Sequence, residues 1–78
     1  MDLRDVFARN LRRVRAEKGL SQDDLAYEAK VSRSYLSQLE KGVFFASLNV
    51  IGRLAETLEV DAYELLRPPP KRGTRRPP

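Results

Sequence analysis

The stretch Ser21–Gly42, SQDDLAYEAKVSRSYLSQLEKG, decides how this chain folds. Ser21 stands before Gln22, Asp23 and Asp24, a serine cap followed by acidic groups where a helix dipole favours them. Leu25, Ala26 and Ala29 then share one face of a short helix that ends near Ala29. Val31 is an apolar bridge, and Ser32 caps a further helix, 32–40, whose Leu36 and Leu39 face inward before Gly42 ends it. The result is two short helices separated by a sharp turn. Lys30 occupies the turn position where a left-handed backbone is expected and glycine is usual. A side chain there costs about 1 kcal/mol. Ala26, Val31, Leu36 and the two serine caps all specify the same turn, so Lys30 is expected as a mildly strained surface residue.

The same reading extends in both directions. Upstream, Leu3, Phe7, Leu11 and Val14 fall at helical spacing, Asp2 is placed to cap them, and Gly19 stops the helix. Downstream, Ser47 caps a fourth helix with Leu48, Ile51, Leu54, Ala55 and Leu58 on one face. Asp61-Ala-Tyr-Glu64 matches a capping box and opens a short fifth helix through Leu65 and Leu66. No strand-like alternation and no internal repeat occur. Residues 1–66 are therefore expected to form one compact all-α domain of five helices. RPPPKRGTRRPP (67–78) carries five prolines and a glycine, and is expected to be a disordered tail.

At 78 residues the chain has room for one small domain, and a domain of this size buries only about 60% of its unfolded surface. There is no cysteine for a disulfide or a thiolate metal site. No apolar run approaches the roughly 20 residues of a membrane span, and the N-terminus opens no signal peptide, so a cytoplasmic protein without a membrane partner is expected. Lysine and arginine number 15 against 11 acids. Five of the cations (Arg67, Lys71, Arg72, Arg75, Arg76) lie in the tail, leaving ten basic and eleven acidic groups in residues 1–66. Any basic surface on the body must come from segregation: Arg4, Arg9, Arg12, Arg13 and Arg15 come early, Glu56, Glu59, Asp61 and Glu64 late.

The outer stripe of the third helix holds Arg33, Ser34, Ser37, Gln38 and Lys41, with no carboxylate. Arginine binds guanine O6 and N7 in bidentate fashion, glutamine does the same for adenine N6 and N7, and serine serves either. Periodicity alone is equally compatible with an ordinary solvated face. The order of residues around it decides between them. Ser21-Gln22, Leu25-Ala26, Val31-Ser32, Leu36-Ser37 and Leu39-Glu40-Lys41-Gly42 resemble, at matching spacing, the helix-turn-helix of the XRE family, which includes the Cro and phage repressor DNA-binding domains. The likeness continues through LRRVRAEKGL upstream and SLNVIGRLAETLEVDAYELL downstream, covering about residues 4–66.

That resemblance implies a lambda-repressor-like fold and a sequence-specific, double-stranded DNA-binding transcription regulator. Ser32, Arg33, Ser34 and Gln38 match positions that read bases in the major groove. Gln22 matches a glutamine that anchors the DNA backbone, and Ser37, Lys41 and Lys30 are further candidates for phosphate contacts. Arg15 and Glu40 match a pair that ties the first helix to the end of the third. Asp23 and Asp24 would repel phosphate, and are expected on the outer side of their helix or at its cap. Ala46 stands where a proline often precedes the serine cap. One ring of Phe44-Phe45 is expected to plug the core, the other to meet DNA sugar or a partner subunit.

Val60, Tyr63 and Leu66 remain after the core is served and are expected to form a homodimer interface, giving two reading helices about one DNA turn apart on an inverted repeat. They are also suited to sealing the core edge of a monomer. The basic tail admits a DNA-tracking arm or a quiet solvated end. A protein-interaction module on the same scaffold, antitoxin-like or a co-regulator subunit, is the alternative function; the acid-free outer stripe favours DNA. Without histidine, cysteine, a phosphate loop or a convergent carboxylate pair, no enzyme and no metal or organic cofactor is expected. Nor is a small-molecule effector. Control by the protein's own concentration is expected instead, as in restriction-modification controller proteins or small mobile-element repressors.

Overall fold

The computed structural model describes residues 2–68; the tail expected at 67–78 therefore lies almost wholly outside the described residues. Five helices follow in order: α1 (Leu3–Glu17), α2 (Gln22–Ala29), α3 (Arg33–Glu40), α4 (Leu48–Leu58) and α5 (Ala62–Leu66). No strand occurs among the described residues. Each of the first four helices starts on a side-chain cap. The Asp2 carboxylate accepts from the Arg4 amide, and the hydroxyls of Ser21, Ser32 and Ser47 accept from the amides of Asp24, Tyr35 and Val50. These caps are each worth about 1 kcal/mol and fix where the chain turns.

Seven leucines are fully buried: Leu11, Leu25, Leu36, Leu39, Leu54, Leu58 and Leu65. Every helix contributes at least one, so each docks by its own apolar stripe onto a shared centre. α1 lies against α3 and α5, α2 against α3 and α4, and α4 against α5. Truncating any of these leucines to alanine would cost about 2–5 kcal/mol. Asn10, on the inward side of α1, donates from Nδ2 to the Arg67 carbonyl at 2.8 Å and fastens the end of α5.

The turn between α2 and α3 is built as its sequence requires. Lys30 is left-handed (φ 63°, ψ 43°); its amide donates to the Tyr27 carbonyl, and the Val31 amide donates to that of Ala26. This is a Schellman closure on a residue with a Cβ. Arg53 of α4 donates from Nη1 to the Lys30 carbonyl at 3.3 Å, bracing the turn from below. Glu59 repeats the arrangement at the end of α4 (φ 60°), a second left-handed side chain that the sequence did not announce. Lys30→Gly is expected to keep the fold and raise stability by about 1 kcal/mol, read as a higher urea midpoint at unchanged m-value. A lower midpoint would show that the lysine side chain supports the turn.

Three expectations are corrected. Leu48 is 84% and Leu3 53% exposed, although both lie near the apolar stripes of their helices. Each is the first residue of its helix, and helical side chains lean toward the N-terminus, so these project past the body. Neither Phe44 nor Phe45 plugs the core: Phe44 stacks on Tyr35 with ring centroids 6.2 Å apart, and Phe45 lies under the Arg4 guanidinium at 4.7 Å. The capping box at Asp61 does not close; Asp61 makes no side-chain cap, and Glu64 accepts from Arg67 Nε at 3.2 Å. Asp23, expected on the outer side of its helix or at its cap, stands exposed in the first turn of α2 and in addition pairs with Arg33.

Candidate nucleic-acid interface

α3 presents one side to the core through Leu36, Leu39 and Glu40, and the opposite side to solvent. Arg33, Ser34, Ser37 and Gln38 border a single shallow hollow on that outer side, and no carboxylate borders it. Arg33 and Ser34 are exposed, while Ser37 and Gln38 are half-buried. Lys41 is exposed at the C-terminal end of the helix and Lys30 in the turn before it. Ser32 lies outside the hollow and its hydroxyl is committed to the Tyr35 amide at 3.0 Å. The four hollow residues have donors and acceptors complementary to those that base edges and phosphates present.

What holds this face in place is a chain of polar contacts running beneath it. Glu40, only 3% exposed, accepts from Arg15 Nε at 2.7 Å, from Arg15 Nη2 at 3.0 Å and from Gln22 Nε2 at 2.9 Å. A buried carboxylate is tolerable only when so fully satisfied. Arg15 donates also to the Leu20 carbonyl, and its pKa is raised mainly by the hydrogen bonds to Glu40, against the opposing effect of burial. Arg12 donates to the Glu40 carbonyl, so α1 grips both the side chain and the backbone at the end of α3.

Because the Gln22 amide nitrogen is drawn to the Glu40 anion, its carbonyl oxygen must point the other way. There it accepts from Arg33 Nε at 3.0 Å. Arg33 Nη1 then meets Asp23 Oδ1 at 3.3 Å. The chain Arg15–Glu40–Gln22–Arg33–Asp23 thus joins α1, the end of α3, the start of α2 and the start of α3. Gln22 is half-buried within it, which sequence comparison with a backbone anchor does not reveal. The Arg33–Asp23 contact is exposed on both sides and is worth at most about 1 kcal/mol.

The structure separates the three residues expected at a subunit interface. Val60 borders an open hollow between α4 and α5 with Leu48, Gly52 and Glu56. Leu66 borders a different, small apolar dimple with Leu3, Phe7, Phe44 and Phe45. Tyr63 borders neither and is 66% exposed. Val60 and Leu66 are half-buried against the core, so sealing the core edge accounts for part of their surface. The exposed leucine beside Val60, Leu48, was missed because its spacing suits the core stripe. Among the described residues no helix is long and apolar enough to cross a membrane, and no cluster of potential metal ligands occurs.

Residues 8–68 match the family model described as a helix-turn-helix domain. The chain is 42% identical over 71 residues to a Neisseria meningitidis protein named a hypothetical transcription factor, covering 91% of this chain and 67% of that one. It is 33% identical over 66 residues to the control protein C.BamHI of Bacillus amyloliquefaciens, covering 83% and 82%. Among solved structures, the restriction-modification controller protein C.AhdI of Aeromonas hydrophila superposes with a TM-score of 0.77 at 39% identity, over 80% of this chain and 94% of that one.

Proposed function

Because this chain belongs to the XRE-type helix-turn-helix family of transcription regulators, we propose that it reads a specific double-stranded DNA sequence through the outer face of α3, as a homodimer on an inverted repeat. The observation that carries this reading is the hollow of Arg33, Ser34, Ser37 and Gln38, free of bordering carboxylates and anchored from below by Glu40. In this reading Arg33, Ser34 and Gln38 meet base edges, with Ser32 at the rim. Lys41, Ser37, Lys30 and the start of α2 at Gln22 meet phosphates. The names of the relatives, a transcription factor and restriction-modification controllers, support a transcription regulator.

The test is a titration of the protein with duplexes at several salt concentrations. Selection from a randomised library should enrich a two-fold symmetric site, with half-sites about one helical turn apart. Affinity should fall linearly in log–log form with salt. Equal affinity for every duplex at every salt would end the reading.

The second subunit fits best on the hollow beside Val60, where Leu48 is the most exposed leucine of the body and Tyr63 is close in sequence. Leu48→Glu is expected to leave helicity and thermal midpoint unchanged while giving a monomer in sedimentation. Its affinity for the selected duplex should drop more than about tenfold, since one set of contacts is lost. A variant that remains dimeric would move the interface elsewhere, the Leu66 dimple first.

A further inference from the structure

Asp23 is out of place for a DNA-binding surface. It is a carboxylate in the first turn of α2, 76% exposed by its side chain, beside the arginine that heads the reading helix. Its close neighbour Asp24 has an ordinary account as an acid in the first turn of α2, where the helix dipole favours negative charge. Asp23 shares that dipole position and, unlike Asp24, also contacts Arg33.

We infer that Asp23 is a specificity-determining positioning residue, which holds the Arg33 guanidinium at a fixed angle so that its remaining donors meet a base edge rather than a phosphate. This rests on the reading of Arg33 as a base reader. A guanidinium has five N–H donors. Nε is committed to Gln22 and one hydrogen of Nη1 to Asp23. Both hydrogens of Nη2 and the second of Nη1 are left, and among the described residues they take no partner. Two acceptors at separate nitrogens fix both the position and the plane of the group, where one would leave it free to swing.

The two acceptors differ in kind. Gln22 is half-buried and held by Glu40, so it is a rigid support. Asp23 is exposed and charged, so it makes a support that can be broken at small cost. On a cognate site Arg33 keeps both supports while its free donors bind, and little side-chain entropy remains to be lost. To follow a phosphate on unrelated DNA, Arg33 must swing away and give up Asp23. Asp23 also repels the phosphates themselves, which weakens all duplexes alike. The two effects are separable, because only the first changes the ratio of specific to non-specific affinity.

The experiment uses the full chain and two probes: a duplex selected by the wild-type protein from a randomised library, and a pool of randomised duplexes of equal length. Asp23→Ala should lower the ratio of the two affinities about three- to fivefold, the size expected of an exposed pair. Asp23→Asn keeps an acceptor without the charge and should restore part of the ratio. In an Arg33→Ala background, Asp23→Ala should leave the ratio unmoved. If Asp23→Ala shifts both affinities by one factor, or Asn behaves as Ala, Asp23 acts as a general charge and the inference falls. If the Asp23→Ala effect on the ratio persists without Arg33, it acts on DNA directly and the inference also falls. Should Arg33→Ala itself leave the ratio intact, the reading of Arg33 as base reader fails first, and this positioning role fails with it.

Discussion

Glu40→Ala is expected to remove about 3–5 kcal/mol of folding stability, the largest effect of any single surface-distant polar change in this chain. The carboxylate is buried and takes three hydrogen bonds, two from Arg15 and one from Gln22. Without it the Arg15 guanidinium, 20% exposed, keeps only the Leu20 carbonyl as a partner. A domain of this size has a total stability on the order of 3–10 kcal/mol, so the variant should lose from about a third to all of it. Urea unfolding followed by circular dichroism measures the loss; a change below about 1 kcal/mol would show that water replaces the pair. Joint replacement of Arg15 by methionine and Glu40 by leucine removes both charges at similar volume, and should recover most of the stability. It should not recover sequence preference, because Gln22 then has no anion to orient it.

Arg33→Ala is the change with the largest expected effect on DNA. A bidentate contact to guanine is worth about 1–3 kcal/mol, a loss of roughly five- to 150-fold per half-site, and a symmetric site feels it twice. Stability should hardly move, since the side chain is exposed and its pair with Asp23 is weak. Library selection with the variant should show one base pair per half-site losing its preference while neighbouring positions keep theirs. If every position weakens equally, Arg33 contacts phosphate, and Gln38 becomes the leading reader.

Local signals were the legible part of this fold. Serine caps at Ser21, Ser32 and Ser47 and left-handed glycines at Gly19 and Gly42 act within one turn of chain, so the sequence alone marks them. The leucine spacing identified the core for the same reason. Errors collected where a residue's partner lies far along the chain or at an element's edge. Leu3 and Leu48 have the right angular position but stand at helix starts, where the neighbouring helices leave them largely uncovered. Phe44 and Phe45 found Tyr35 and Arg4, partners that only the folded loop brings near. Glu64 met Arg67 instead of closing its box, one local contact displacing another of similar strength. At the site, the outward residues of α3 were readable from periodicity. That Asp23 faces Arg33 was not, since charge along the sequence does not say which way the start of α2 leans against α3.

The chain of contacts from Arg15 to Asp23 also bears on how DNA preference can change hands between relatives. Grafting the outward residues of α3 into another scaffold would move Arg33 but leave behind Gln22, Asp23, Arg15 and the α1 grip on Glu40. On the proposed reading of α3, the portable unit of specificity would be discontinuous, spread over three helices, with some members that need never touch a base. Substitutions in α1, which packs against α3 and carries no proposed reading residue, would then be a route by which operator preference drifts while α3 stays the same.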